Sequence, residues 1–181
     1  MLFRSHTALI RLLEGWLNDI DTGKYVGAVF LDLKKAFDLV DHDILLHKLK
    51  LYHFSDKSVN FFRSYLSNRT QVVKVGNTIS DKRLVTSGVP QGSILGPLLF
   101  LLYINDIALA SKNCNIDLYA DDSTVYISDQ VLNVVEIKLQ KNLVAIDQWC
   151  ISNNMLIYPN KTKCMVLYTK QKKILIVRSY I

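Results

Sequence analysis

Carboxylates set against apolar strand sequence are the residues of this chain best suited to chemistry, because an ionised group there is costly unless it is paired or bound to a cation. Asp32 closes the apolar run YVGAVFLDL (residues 25–33), and Asp121 and Asp122 stand together inside IDLYADDSTVYIS (residues 116–128). If the strands that carry them are sheet neighbours, three acids meet in one small region and repel one another. Such a set calls for a hard divalent cation that takes a few protein carboxylates and substrate phosphates as ligands, which describes Mg2+. Two such ions ~3.5–4 Å apart activate an attacking hydroxyl and stabilise a leaving pyrophosphate. Taken alone, an Asp-Asp pair is equally a hairpin turn, and Asp32 a strand-end cap.

The flanking pattern supplies elements to position these acids. Residues 25–33 fit a buried central strand, and residues 116–128 fit two strands meeting at a turn. A helix with Leu9, Leu12, Leu13, Trp16 and Ile20 on one stripe is predicted over residues 5–19. Asp41 is expected to cap a helix running to Leu51, and Ser55 one running to about Leu66. QVVKVGN and KRLVT read as two short strands turning near Gly76 and Asn77. A Gly/Pro loop then leads into a helix from about Ile94 to Ala110. Residues 131–151 form an amphipathic helix, residues 152–162 a loop or short strand, CMVLY (164–168) a last strand, and residues 174–177 suit another. Helices placed between strands without strict βα alternation give an α+β fold, an antiparallel sheet with helices packed on one face.

Composition narrows the class. The chain has 181 residues, 50% hydrophobic and 21% charged, with 7 Gly and 3 Pro, which excludes low-complexity disorder and collagen-like sequence. Residues 1–147 hold 16 Lys and Arg against all 16 acids, so the net charge of +6 lies wholly in the last 34 residues. A basic end of that kind suits a polyanion such as nucleic acid. Three cysteines without a CxxC pair argue for an intracellular, reducing setting and against zinc. Arg4, Arg11 and Glu14 interrupt what would have to be the apolar core of a secretion signal. Residues 84–105 carry no charge, but Gly88, Pro90 and Gly92 break their first half, so no membrane span is expected.

VFLDLKKAFD, SGVPQGSILGPLLF, LYADDSTVYIS and YPNKTK occur in this order. With them the chain resembles the reverse transcriptase domain of non-LTR (LINE-type) retrotransposons, from about residue 5 to about residue 170. The resemblance implies a polymerase palm that uses RNA template, DNA primer and dNTPs, with two Mg2+ ions for which Mn2+ can substitute. Asp32 and Asp121 would hold the metals, with Asp122 a less regular ligand and the Leu33 carbonyl completing a coordination sphere. Phe37, five residues after Asp32, falls at the family's steric-gate position, where a ring under the sugar rejects a 2′-hydroxyl. The amides of Lys34, Lys35 and Ala36 are expected to cradle the triphosphate at a helix start. Gln91 and Gly92 match the block that touches the incoming nucleotide and template. Lys161 matches the lysine that protonates pyrophosphate, with Lys163 as its rival, although Tyr158 replaces the family's usual Asn. The resemblance also implies that residues 1–181 are the palm portion, with fingers incomplete and thumb outside it. Two functions then compete, an RNA-directed DNA polymerase domain and an inactive remnant that at most binds nucleic acid.

Other polar residues read as structural. Asp38, Asp41 and Asp43 crowd a helix start, Asp106 shows no partner in the sequence, and His42, His47 and His53 have no matching acid or thiol arrangement.

Overall fold

The computed structural model describes residues 2–119 and 122–169, with side chains from Leu9 onward. In chain order the elements are α1 (Leu2–Asp21), β1 (Tyr25–Asp32), α2 (His42–Leu51), α3 (Asp56–Leu66), β2 (Thr70–Gln71), β3 (Lys74–Val75), β4 (Thr78–Ile79), β5 (Arg83–Leu84), α4 (Leu95–Ile104), α5 (Ile107–Ala110), β6 (Asn115–Tyr119), β7 (Asp122–Asp129), α6 (Leu132–Ser152) and β8 (Lys163–Leu167). They fall into two compact units. One holds the described residues of Met1–Lys34, Ile107–Ile151 and Leu156–Ile181, the other Lys35–Asp106 with Ser152–Met155. No helix among the described residues is long and apolar enough to cross a membrane.

The first unit is built on a four-stranded sheet of order β6-β7-β1-β8. β1 is antiparallel to both neighbours, pairing Tyr25–Asp32 with Asp129–Asp122 on one side and Val26–Phe30 with Leu167–Lys163 on the other. The apolar run of β1 is explained by cover on both faces. Trp16 of α1 packs with Val26 and Ala28 and meets the Phe30 and Tyr126 rings edge-on. On the opposite face, a Cβ built at Gly27 would lie 2.5 Å from Val135 Cγ1 and 2.6 Å from Leu139 Cδ1 of α6. The α+β class and antiparallel sheet are as the sequence leads one to expect, but the helix cover is two-sided. The α1 stripe is also shorter than its spacing suggests: Trp16 is buried, and Leu12 and Ile20 partly so, while Leu9 is 55% and Leu13 42% exposed. Among the α1 residues whose side chains are described, Leu12, Trp16 and Ile20 meet the apolar cluster of the sheet.

In the second unit the local signals are met closely. The Asp41 side chain accepts from the amides of Asp43 and Ile44, and Ser55 Oγ from that of Ser58, capping α2 and α3. Leu45, Leu49, Leu66, Leu99, Phe100 and Tyr103 are fully buried between α2, α3 and α4. Within this core Lys48 Nζ donates to Asp106 Oδ1 at 2.6 Å and to the Tyr103 carbonyl at 2.7 Å. Burial lowers the Lys48 pKa, the pair with Asp106 opposes that shift, and burial pushes the Tyr103 hydroxyl up to about 12. Asp106, without a visible partner in the sequence, is thus an ion-pair residue. The single helix expected over Ile94–Ala110 is broken at Asn105 and Asp106 into α4 and α5. The strand expected at residues 174–177 lies outside the described residues.

Because β1 and α6 approach where Gly27 has no side chain, Gly27→Ala is expected to lower stability by about 1–3 kcal/mol through overpacking. Urea unfolding would read this, and Leu139→Ala in the same chain should recover part of the loss.

Candidate active site

The acid-bearing end of the sheet is positioned by register. Asp32, the last residue of β1, stands directly opposite Asp122, the first of β7. Directly opposed residues on one face bring their Cβ atoms to about 4.5–5.5 Å, so the two carboxylates share a small volume. Asp121 lies outside the described residues, and among those described no three His, Cys, Asp or Glu side chains form a metal cluster.

A strap from the C-terminal segment fixes the chain just beyond Asp32. Lys34 N donates to the Leu156 carbonyl and Tyr158 N to the Asp32 carbonyl, each at 2.8 Å, with Leu33 and Ile157 bridged between them. In this antiparallel pattern the enclosed pair makes no mutual backbone bonds, so the Leu33 carbonyl points away from Ile157. A carboxylate, its in-register neighbour and an outward carbonyl form an all-oxygen set of the kind hard divalent cations take. The residues present therefore fit Mg2+ by donor type. The strap also corrects one expectation. The Lys34 amide is committed to Leu156, and residues 34–38 form turns rather than a helix start, with the Asp38 and Leu39 amides both donating to the Lys35 carbonyl. Lys35 itself has φ +49.

Lys161 is brought to the acid end. Its Nζ lies 3.8 Å from Asp32 Oδ2 and 5.2 Å from the Tyr158 ring centroid, on a turn where the amides of Lys161 and Thr162 donate to the Tyr158 carbonyl. Lys161 is 62% exposed, so the pair adds little stability. Its significance is that a cation can stand beside Asp32. Lys163 instead lies in β8 and reaches the Asn160 carbonyl at 3.5 Å.

The second unit holds the remaining candidates. The Phe37 ring is half-buried and stacked on Phe100, with centroids 4.5 Å apart. Its carbonyl accepts from Val89 N, and Gly88 N donates to the Val40 carbonyl, so the segment after Phe37 is laced to the Gly/Pro loop. Gly88, with φ +83, sits where a Cβ would come within 2.9 Å of the Asp38 backbone. Gln91 Nε2 donates to Asp38 Oδ1 at 2.8 Å. Asp38 is therefore an orienting residue that sequence reasoning assigned to a helix start; the available signal was its place in VFLDLKKAFD. Gly92 has φ +77 with nothing near a built Cβ, so backbone conformation alone requires glycine there. His42 Nε2 is hydrogen-bonded to the Gly88 carbonyl at 2.9 Å, a packing role. Burial raises the thiol pKa of Cys114 to about 11 and of Cys150 to about 12, which keeps both protonated.

Comparison with known proteins gives the same direction throughout. A probable RNA-directed DNA polymerase from transposon BS of Drosophila melanogaster is 34% identical over 168 residues, covering 88% of this chain and 18% of that protein. The RNA-directed DNA polymerase from mobile element jockey of the same organism is 32% identical, covering 86% of this chain and 18% of that protein. The chain thus spans about a fifth of the length of these relatives. Among solved structures, a telomerase from Candida tropicalis in complex with a TWJ fragment of telomeric RNA superposes with a TM-score of 0.67 at 13% identity, covering 88% of this chain and 29% of that one. At that identity the likeness concerns the fold, an α+β polymerase palm. Residues 2–178 match the family described as reverse transcriptase (RNA-dependent DNA polymerase), and the chain belongs to that family.

Proposed function

We propose that this chain carries the metal-binding acids of an RNA-directed DNA polymerase, joining dNTPs to a primer 3′-hydroxyl on an RNA template. The observation that carries the reading is the register of Asp32 against Asp122 beside the outward carbonyl of Leu33. Asp32, Asp121, Asp122 and the Leu33 carbonyl would hold two Mg2+ ions, which lower the pKa of the attacking hydroxyl and neutralise charge on the leaving pyrophosphate. The chain's own residues do the remainder. The in-register strands hold the carboxylates fixed, so little reorganisation is needed as charge develops. Lys161, beside Asp32, gives a proton to the pyrophosphate oxygen as the bond to the α-phosphorus breaks. Phe37, held by Phe100, rejects a 2′-hydroxyl by contact, and Gln91, oriented by Asp38, presents its amide to nucleotide or template. Lys35 and Ala36 offer amides to the triphosphate from a turn.

Extension of oligo(dT) on poly(rA) with dTTP and Mg2+ tests the reading. Wild type should synthesise DNA, and Asp121→Asn should lower the rate at least about 10²-fold; equal background from both would leave only the nucleic-acid-binding remnant.

Phe37→Val should relax the preference for dNTPs over rNTPs about 10- to 100-fold and, by losing the stack on Phe100, lower stability by roughly 0.5–1.5 kcal/mol. Paired kinetics with dTTP and UTP would read the first effect, and unchanged sugar selection would remove the gate assignment.

Lys161→Ala should lower kcat roughly 10²-fold, whereas Lys163→Ala should leave it near wild type. The reverse ranking would assign the proton donor to Lys163.

A further inference from the structure

We propose that residues 69–85 form a basic arm that grips the phosphate backbone of an RNA–DNA duplex. The identity of that duplex as template and primer rests on the polymerase reading; the arm's geometry does not.

β2 and β5 pair as Thr70↔Leu84 and Gln71↔Arg83, and β3 and β4 as Lys74↔Ile79 and Val75↔Thr78. Backbone bonds from Val85 N to the Arg69 carbonyl and from Ser80 N to the Val73 carbonyl extend both pairings. The four short strands thus form two successive antiparallel pairs as the chain doubles back between Arg69 and Val85. The register shifts by one residue between the Gln71↔Arg83 and Lys74↔Ile79 pairs, the offset that a β-bulge produces. The tip is a two-residue turn at Gly76 and Asn77 with Gly76 at φ +59, as a type II′ turn requires. At the root, Arg69 Nη1 donates to the Gly88 carbonyl, which ties the arm to the loop carrying Gln91.

Every residue from Thr70 to Leu84 is exposed. Arg69, Lys74, Lys82 and Arg83 stand against one acid, Asp81, a net +3 over residues 69–85. Strand alternation and that offset place Lys74 and Lys82 on one face, about 7 Å apart along the arm. An arm with this charge complements a polyanion. It carries no aromatic side chain, so unstacked bases have no platform there, and the match is to the sequence-independent backbone of a duplex. Exposed Val73 and Val75 at the tip suit a protein partner, which is the competing occupant.

Anisotropy of a labelled RNA–DNA hybrid titrated with the 181-residue chain, in EDTA and without nucleotides across a salt series, tests the arm. The triple variant Lys74→Gln, Lys82→Gln, Arg83→Gln should weaken binding about 10- to 100-fold at ~0.1 M salt and flatten the slope of log K against log salt by about 2 to 3. The cations after residue 169 are common to both proteins and cancel in that difference. If the triple variant loses its circular dichroism, Lys82→Gln alone should flatten the slope by about 1. Unchanged affinity and slope in a folded variant overturns the proposal, as does single-stranded RNA bound as tightly as the hybrid. Val73→Thr with Val75→Thr should bind hybrid like wild type; a loss confined to that variant overturns the proposal, because apolar contact rather than charge would then carry hybrid binding. Hybrid binding that needs the arm but is accompanied by no DNA synthesis defeats the polymerase reading alone. Synthesis without any effect of arm charge on binding defeats the arm alone.

Discussion

The pairing of β1 with β7 ends on two carboxylates placed face to face. Like charges directly opposed across strands cost about 0.2–1 kcal/mol. Against this, each buried Val or Leu in the same ladder contributes about 1.5–3 kcal/mol, and Val26, Val29, Leu31 and Val125 are all buried there. Apolar burial therefore wins by a wide margin, and the register it imposes presses Asp32 and Asp122 together. A slip of one residue would turn Val26 and Ala28 out of the Trp16 cluster, so the geometry of the acids is protected by contacts far from them.

A second constraint acts on the chain just beyond Asp32. The strap through Leu156 and Tyr158 occupies the backbone on either side of Leu33 and leaves its carbonyl facing outward. Lys161, five residues beyond the start of that strap's contacts, is thereby set beside Asp32. In the second unit, Lys48 is an ammonium in an apolar core, held by Asp106 and the Tyr103 carbonyl. Removing either charge would strand the other, so the pair fixes how α2 meets the end of α4.

Local signals were legible in the sequence because their physics is local. Asp41 and Ser55 each cap the next helix through amides two or three residues on, and the alternation of β7 reports a strand with one side buried. Asp32 could be singled out because a carboxylate ending an apolar run requires a partner. What could not be read was set by distant chain. The cover of the second sheet face depends on Gly27 meeting Val135 and Leu139, which no periodicity announces. The helix break at Asn105 and Asp106 goes with an ion pair to Lys48, 58 residues away. The Lys34 amide reads as available to a phosphate until Leu156 claims it. The register shift between Gln71 and Lys74 was invisible because the run Val72-Val73 continues the strand pattern on either side of it.

The order of the strands bears on how the chain is made. β1 emerges before both of its neighbours, which follow at Asp122–Asp129 and Lys163–Leu167, so Asp32 meets its cross-strand partner only after ninety further residues, counting from 32 to 122. Until then the most apolar strand of the sheet has both hydrogen-bonding edges bare, a template for pairing with other chains. Contacts this distant in sequence form slowly. During synthesis on the ribosome the interval is set by translation, at about 5–20 residues per second, so the strand that ends in Asp32 waits seconds for closure. Slow codons between β1 and β7 would prolong that exposure, and chaperone capture of nascent chains ending before β7 is its expected signature.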